Sequence, residues 1–271
     1  MNQNELQSLL PGVINAVKAA GHILVKRFSS AGAARQDFPT LISAIDANDA
    51  SVENALRAAL LAIRPDSGWI DDEETGGALP PGEWWVADPV EGNVNHVHGG
   101  GVWGVTAALV RDGVPVLAVV YEPLRDRLYT AIQGDGACCN GEKMRVSNKR
   151  DLRAALVGTG QARPGEGPAV HEAISASVQT MLNAALLVRM AVPATFEIAE
   201  VASGRMDAFW QYTQVRSGLA AGVLLVAEAG GVVTDTRGRP WHFGSEDILL
   251  AAPGVHAAAV ASLASTSKVT P

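Results

Sequence analysis

The chain has 271 residues, enough for one large domain or two packed halves around a substantial core. Apolar residues make up 48% and charged residues 18%, a balance typical of globular proteins and not of disordered ones. The net charge of -7 argues against a surface that binds nucleic acid or anionic membrane, because both favour dense Lys and Arg.

The first half of the chain changes from a helical to a β pattern. Apolar residues recur at spacings of three and four, which predicts amphipathic helices over about residues 4–28 and from Val52 to Ile63. The second of these should end near Pro65. Strands are predicted at 105–110, 114–121 and 128–132.

The second half alternates between short apolar segments and helical patterns. The predicted strands are 155–158, 186–189, 207–210, 231–234 and 248–251. The predicted helices lie near 168–182, 193–203, 218–229 and 254–265. Such alternation is typical of an α/β arrangement with helices packed on a sheet. We predict an α+β half with a mainly antiparallel sheet over residues 1–145 and an α/β half over 146–271, packed as one unit because no linker-like tract separates them.

Apolar runs, the N-terminal residues and the cysteines indicate the cellular location of the protein. No uninterrupted apolar run reaches the roughly 18 residues that span a bilayer. The first five residues lack the basic start and apolar stretch of a signal peptide. Cys138 and Cys139 are adjacent, which disfavours a disulfide between them and favours a packing role. These features predict a cytoplasmic protein with no membrane partner.

The first segment that could carry chemistry is the acidic run Asp71-Asp72-Glu73-Glu74-Thr75. It follows the apolar pair Trp69-Ile70, so the acids come directly after a buried position. When the run is taken alone, a solvated acidic loop is the better explanation.

A second segment, Asp88-Pro89-Val90-Glu91-Gly92-Asn93, ends an apolar strand. A turn of this kind can bring two carboxylates and a backbone carbonyl to one side, and such hard oxygen ligands suit Mg²⁺. Gly92 would also leave backbone N–H groups facing an anion at the start of a helix. The alternative is a Pro/Gly/Asn turn that carries surface acids.

The third segment runs from Ser217 to Gly231 and is rich in small residues. Ala220-Ala221-Gly222 would allow close packing of a helix, and Gly230-Gly231 would end that helix before a strand. On physical grounds alone this segment is structural.

Together and in this order, the three segments resemble the signature of the inositol monophosphatase superfamily. Glu73-Glu74-Thr75 is similar to its Gly-Glu-Glu-Ser element, and 88–93 is similar to Asp-Pro-Ile-Asp-Gly-Thr. Residues 217–222 with 228–231 are similar to Trp-Asp-X-Ala-Ala-Gly and Glu-Ala-Gly-Gly. The resemblance implies a layered α-β-α-β-α sandwich and a homodimer.

The resemblance also implies hydrolysis of phosphate monoesters with two or three Mg²⁺ ions. By that likeness, Glu73, Asp88 and the carbonyl of Val90 would bind the first metal, and Glu91, the second acid of the Asp88–Asn93 motif, would assist as a metal ligand. Glu73 would thus belong to both the metal site and the catalytic machinery.

The phosphate and the attacking water are assigned by the same likeness. Gly92 and Asn93 would hold the phosphate through backbone N–H groups. Asp46 matches the catalytic acid that positions the nucleophilic water, with Asp49 as the competing choice because the following helix is displaced by two residues.

Four positions differ from the family where its chemistry lies. Glu91 replaces Asp, and one extra methylene moves the carboxylate by roughly 1.5 Å, which matters for the strict octahedron of Mg²⁺. Asn93 replaces Thr, and an amide cannot relay a proton as a hydroxyl can. Gly218 replaces the Asp of the second metal site, and Gln211 replaces an acid that recognises substrate hydroxyls. We therefore expect fewer or weaker Mg²⁺ sites than the family has.

Two further side chains are candidates for binding substrate. Arg216, beside Gly218, could hold an anionic group. His96 stands at the place of a family aromatic and could bind substrate or move a proton, although a polar turn residue is the competing interpretation.

Three functions are compatible with this sequence. The first is a divergent enzyme acting on a small polar, possibly phosphorylated metabolite, with metal-dependent hydrolysis of a phosphate monoester as its reaction. The second is a repurposed lyase, isomerase or cyclase that uses the same cavity. The third is a non-catalytic binding or regulatory protein on the same fold. None of the three requires a nucleic-acid or membrane partner.

Overall fold

A computed structural model describes residues 3–29, 37–70, 77–162, 165–212 and 216–264. The helices are α1 (Gln3–Arg27), α2 (Phe38–Ile63), α3 (Asn93–Val97), α4 (Pro168–Ala184), α5 (Ala194–Ala202), α6 (Arg216–Glu228) and α7 (Pro253–Ala264). The first strands are β1 (Gly68–Trp69), β2 (Glu83–Glu91), β3 (Gly104–Arg111), β4 (Val114–Glu122), β5 (Arg127–Ile132), β6 (Gly136–Cys139) and β7 (Glu142–Lys143). The later strands are β8 (Leu156–Thr159), β9 (Leu187–Met190), β10 (Ala208–Gln211), β11 (Val232–Thr234) and β12 (Ile248–Ala251).

Two sheets organise the chain. The first has the order β1-β2-β3-β4-β5-β6-β7 and is antiparallel except for the pairing of β1 with β2. The second has the order β11-β12-β10-β8-β9, in which β8 runs parallel to both of its neighbours. The first sheet is mainly antiparallel and the second is mixed, in agreement with the α+β and α/β patterns predicted for the two parts of the sequence.

The strands bury alternate side chains on their two faces, which produces five layers. On β3, Val105 and Ala107 pack against α1 and α2, whereas Ala108 and Val110 face α5 and α6. On β10, Phe209 faces α5 and α6, and the side chains on the opposite face pack against α4 and α7. The order is therefore helices, sheet, helices, sheet, helices, which confirms the predicted α-β-α-β-α sandwich.

The segment between the two sheets is held by a buried acid. Asp207, 1% exposed, accepts hydrogen bonds from Ser147 Oγ (2.5 Å), Lys149 Nζ (2.8 Å) and the backbone N–H of Leu156 (2.7 Å). Gly204 makes the same seam tight, because a Cβ there would lie 2.8 Å from the carbonyl oxygen of Arg145. The domain boundary near residue 145 stays a prediction, but the connection is firmly packed.

Helix α2 begins much earlier than the apolar pattern predicted. It starts at Phe38 instead of Val52, because the Asp37 carboxylate caps it by accepting from the N–H of Thr40 (3.0 Å) and Pro39 fits its first turn. Apolar periodicity underestimates such a helix, since much of its first half is exposed.

Candidate active site

The centre of the candidate site is a turn at the end of β2. The pairing of β2 with β3 is regular up to Asp88 opposite Thr106, then shifts register before Glu91 pairs with Gly104. Within this irregularity the Asp88 carboxylate accepts from the N–H of Val90 (2.8 Å). The turn therefore holds the half-buried carboxylate of Asp88 close in the chain to the backbone carbonyl of Val90.

The donor set of this turn suits a hard cation, because it combines a carboxylate with a backbone carbonyl. Across the described ranges, no three His, Cys, Asp or Glu side chains form a metal cluster. The predicted ligand Glu73 lies in 71–76, outside the described residues. A Mg²⁺ ion at Asp88 and Val90 would thus need a further ligand such as Glu73.

Gly92 starts the short helix α3 and is required at its position. Its φ is +79°, in the left-handed region. A Cβ there would lie 2.9 Å from Cγ of Pro193 and 3.0 Å from the carbonyl oxygen of Val102. The predicted turn into a helix is confirmed, and the contact with phosphate stays a prediction.

Asn93 connects the turn to helix α2. Its Nδ2 donates to Asp49 Oδ1 (2.9 Å) and to the carbonyl of Ile45 (3.1 Å), while its Oδ1 accepts from Asn48 Nδ2 (2.9 Å). Asn93 is therefore fixed by α2, and its amide hydrogens are used within the protein. It positions an acid and does not itself supply a mobile proton.

The acid beside Asn93 is Asp49. Burial raises the pKa of Asp49 to about 6, opposed by the hydrogen bond from Asn93 and reinforced by the nearby carboxylates of Glu53 and Asp46. Asp46 itself is exposed. The structure therefore favours Asp49 over the predicted Asp46, because only Asp49 lies on the side of α2 that meets the turn.

His96 is buried in a polar network. Its Nδ1 lies 3.0 Å from Asn48 Nδ2, and its Nε2 lies 3.0 Å from the carbonyl oxygen of Leu24. Nε2 must donate to that carbonyl, which leaves Nδ1 to accept from Asn48. Burial lowers the pKa of His96, which keeps the ring neutral. Both ring nitrogens of His96 are thus engaged within the protein, which supports a structural role, and the contact of His96 with substrate stays a prediction.

Sequence reasoning missed Asn48, which completes this network. Its Nδ2 bonds both Asn93 and His96, and its Oδ1 accepts from Arg27 Nε (2.9 Å). Asn48 is 4% exposed and stands four residues before Val52 on the buried face of α2. That spacing was the available signal, because it continues the apolar stripe backwards with a polar residue.

Glu91 is turned into the interior. It is 5% exposed, and its Oε2 lies 2.8 Å from Thr195 Oγ1, which lies 2.7 Å from the carbonyl oxygen of Gly218. The single hydroxyl proton of Thr195 can serve only one of these contacts, and the carbonyl can only accept. Both contacts are hydrogen bonds when Glu91 is protonated and donates to Thr195. Burial raises the pKa of Glu91 to about 7, in agreement with this arrangement.

The remaining predicted residues lie at the ends of α6 and β10. Gly218 is buried in the first turn of α6. Gln211 is buried at the end of β10, where a Cβ on Gly160 would lie 2.6 Å from its Oε1. Arg216 donates from Nη2 to the carbonyl of Gly77 (2.9 Å), next to the acidic segment. Their contacts with substrate stay predictions.

The layered sandwich and the turn from Asp88 to Gly92 are together typical of the inositol monophosphatase fold. A model of the inositol monophosphatase family matches residues 5–268, and the chain belongs to this family. It is 32% identical to an inositol-1-monophosphatase of Rhizobium meliloti over 241 residues, 88% of this chain and 90% of that protein. It is also 32% identical to the Nus factor SuhB of Pseudomonas aeruginosa over 241 residues, 86% and 87% of the two chains.

Solved structures show the same architecture. The extragenic suppressor protein suhB of Bartonella henselae matches with a TM-score of 0.79 at 27% identity, covering 94% of this chain and 98% of that one. The inositol monophosphatase of Anabaena matches with a TM-score of 0.79 at 25% identity, covering 97% of each chain. The predicted family and fold are confirmed.

The buried Glu91 makes stability depend on pH. The folded state keeps a proton on Glu91 up to about pH 7, whereas the unfolded chain releases it near the ordinary pKa of 4.5. Stability should therefore fall as pH rises through this window, by on the order of 3 kcal/mol. Glu91→Gln cannot ionise and should be more stable than the wild type at pH 8 and similar at pH 4.5. Urea unfolding in EDTA at both pH values measures this.

Asp49 contributes with the same sign at lower pH, because burial raises its pKa to about 6. Asp49→Asn is therefore the matched comparison for Glu91→Gln. It should flatten the pH dependence of the unfolding free energy only below about pH 6. An unchanged pH dependence in Glu91→Gln would show that the carboxyl is solvated in solution.

Proposed function

We propose that this chain hydrolyses phosphate monoesters of a small polar metabolite and uses one principal metal position. That position would consist of Glu73, Asp88 and the carbonyl of Val90. The observation that carries the proposal is the turn at Asp88, which is followed in the chain by Asn93. The Asn93 amide donates a hydrogen bond to the Asp49 carboxylate. The Asp88 carboxylate, the Val90 carbonyl and the partly buried Asp49 on the adjoining helix support metal-dependent hydrolysis.

The residues around the turn divide the work. A Mg²⁺ ion bound there would supply Lewis-acid stabilisation of the phosphate and leaving oxygen. Asp49, with its pKa near 6, is mostly ionised at neutral pH and would accept the proton of the attacking water. Asn93 would hold Asp49 in place, and Gly92 would receive the phosphate at the start of α3. Gln211 and Arg216 would contact the rest of the substrate.

A screen of sugar phosphates and nucleotide phosphates, with Mg²⁺ and with EDTA, tests the proposal. We expect at least one monoester to be hydrolysed in Mg²⁺ and not in EDTA. Activity that EDTA leaves unchanged, or none on any phosphate, would contradict it. A lyase, isomerase or cyclase reaction in the same cavity would then be the next hypothesis to test.

A regulatory role is the second candidate, and a specific observation favours it. Relatives named Nus factor SuhB in Xylella fastidiosa and Pseudomonas aeruginosa are 32% identical to this chain, as similar as the inositol-1-monophosphatase. Expression of the chain and of Asp88→Asn in Pseudomonas aeruginosa lacking its own SuhB separates the two roles. Rescue by both proteins would support a non-catalytic role. The net charge of -7 remains the argument against direct contact with nucleic acid.

We also propose a homodimer formed through the edge of the second sheet. Strand β9 is the terminal strand in the order of that sheet, and five large apolar side chains beside it are exposed. These are Leu182, Leu186, Leu187, Met190 and Val192. Sedimentation at micromolar concentration should give a dimer mass, and Leu186→Glu should give a monomer. Leu124→Glu, an exposed leucine elsewhere, is the control, and a monomeric wild type would reject the proposal.

A cytoplasmic location is proposed on two grounds. Both cysteines are free thiols on β6, as expected in a reducing compartment. Among the described helices, α1 alone has the length and apolar composition to cross a membrane, and its Leu6, Val13 and Leu24 are buried in the core. One face of α1 therefore packs into the core.

A further inference from the structure

We infer that this chain has closed the second metal position of its family with an internal bridge that runs from Glu91 through Thr195 to the backbone of Gly218. The inference concerns only this position. It holds whether or not the chain hydrolyses phosphate, and whether or not a metal binds at Asp88.

The bridge joins three elements at one point. Glu91 ends β2, Thr195 lies in the first turn of α5, and Gly218 lies in the first turn of α6. The oxygen atoms of the bridge are 2.8 Å and 2.7 Å apart, and all three residues are buried. A carboxyl oxygen of Glu91 that is committed to Thr195 in the interior is not free to take a place in the octahedron of Mg²⁺.

The sequence changes at this point depend on one another. Glu91 has one methylene more than the family's Asp, and its Oε2 reaches Thr195 on α5. Gly218 has no side chain where the family has a metal-binding carboxylate, and it contributes a backbone carbonyl instead. Helices α5 and α6 remain tightly packed, because a Cβ on Gly222 would lie 2.7 Å from Cγ2 of Ile198. The bridge thus ties the end of β2 to the first turns of α5 and α6 through this chain's own residues.

Binding of Mn²⁺ to the full chain, followed by calorimetry and by electron paramagnetic resonance, tests the inference. Glu91→Gln should bind the same number of Mn²⁺ ions as the wild type, with Kd changed less than about twofold. Asp88→Asn should lose the ion if the proposed metal position is correct. Fewer ions bound by Glu91→Gln would make Glu91 a ligand and overturn the bridge.

Thermal unfolding in EDTA gives a second test that needs no bound metal. Thr195→Val keeps the shape of the side chain and removes the hydroxyl, so its Tm should fall by about 5 °C or more. Thr195→Ser keeps the hydroxyl and should remain closer to the wild type. Equal Tm values for Thr195→Val and the wild type would overturn the bridge. If the wild type binds no Mn²⁺, the proposed metal-dependent function fails, and this measurement alone decides the bridge.

Rebuilding the position is the converse experiment. Glu91→Asp, Thr195→Ala and Gly218→Asp together remove the bridge and return two short carboxylates to the end of β2 and the start of α6. The folded triple variant should bind one more Mn²⁺ ion than the wild type. A folded variant that gains none would show that these residues do not occupy the second metal position.

Discussion

Replacing Asp207 with alanine is expected to lower the free energy of unfolding by about 3 to 5 kcal/mol, a large fraction of the stability of an ordinary domain. The carboxylate is buried and accepts from a hydroxyl, an ammonium and a backbone N–H. Alanine would leave the backbone N–H of Leu156 and the hydroxyl of Ser147 without their partner. Urea unfolding of the wild type and variant measures the difference.

Two controls separate the contribution of the buried acid from that of surface charge. The Lys149 side chain is 43% exposed, so Lys149→Met should lower the free energy of unfolding much less than Asp207→Ala does. Asp151 is exposed, where it pairs with Arg153 and accepts from its backbone N–H, so Asp151→Ala should cost much less stability than Asp207→Ala. An Asp207→Ala variant as stable as these two would mean that packing alone holds the seam between the sheets.

Local sequence signals predicted most of the second half of the fold. Strand β12 has the predicted bounds, and β8, β9 and β10 are displaced by one residue. These strands are short apolar segments between amphipathic helices, so both of their ends are marked in the sequence. The predicted start of α2 was wrong, because the true start is fixed by the cap at Asp37 and the residues that follow this cap are largely exposed.

The candidate site was predictable only where it is local in sequence. Pro89 and the left-handed Gly92 fix the turn at Asp88, so its motif was visible in the sequence. The choice between Asp46 and Asp49 required knowing that α2 extends back to Phe38, which an apolar pattern beginning at Val52 could not show.

Partners distant in sequence were not predictable at all. Thr195 bonds Glu91 across 104 positions, and His96 bonds the carbonyl of Leu24 across 72. A threonine early in a helix and a histidine after a turn have many ordinary explanations, so neither residue type reveals its partner. Only the packing of β2, α5 and α6 makes the role of Thr195 evident.

The largest expected effect on activity is that of Asp88→Asn. Asparagine has the size of aspartate and can still accept from the N–H of Val90, but it carries no charge to hold a cation. Mg²⁺-dependent kcat/KM on the best substrate of the screen should fall at least about 100-fold, or about 2.7 kcal/mol of transition-state stabilisation. A variant with near-normal Mg²⁺-dependent activity would remove Asp88 from the metal site.

The two candidate acids on α2 complete this experiment. Asp49→Asn should lower kcat/KM at least about tenfold, because a general base typically contributes more than that. In the wild type the rate should fall as the pH drops below about 6, where Asp49 gains its proton, and the variant should lack this limb. Asp46→Asn, which changes an exposed carboxylate three residues away, should retain the acid limb and move it only slightly to lower pH, because Asp46 is a minor cause of the raised pKa of Asp49. If kcat/KM falls more in Asp46→Asn than in Asp49→Asn, Asp46 and not Asp49 is the acid beside the attacking water.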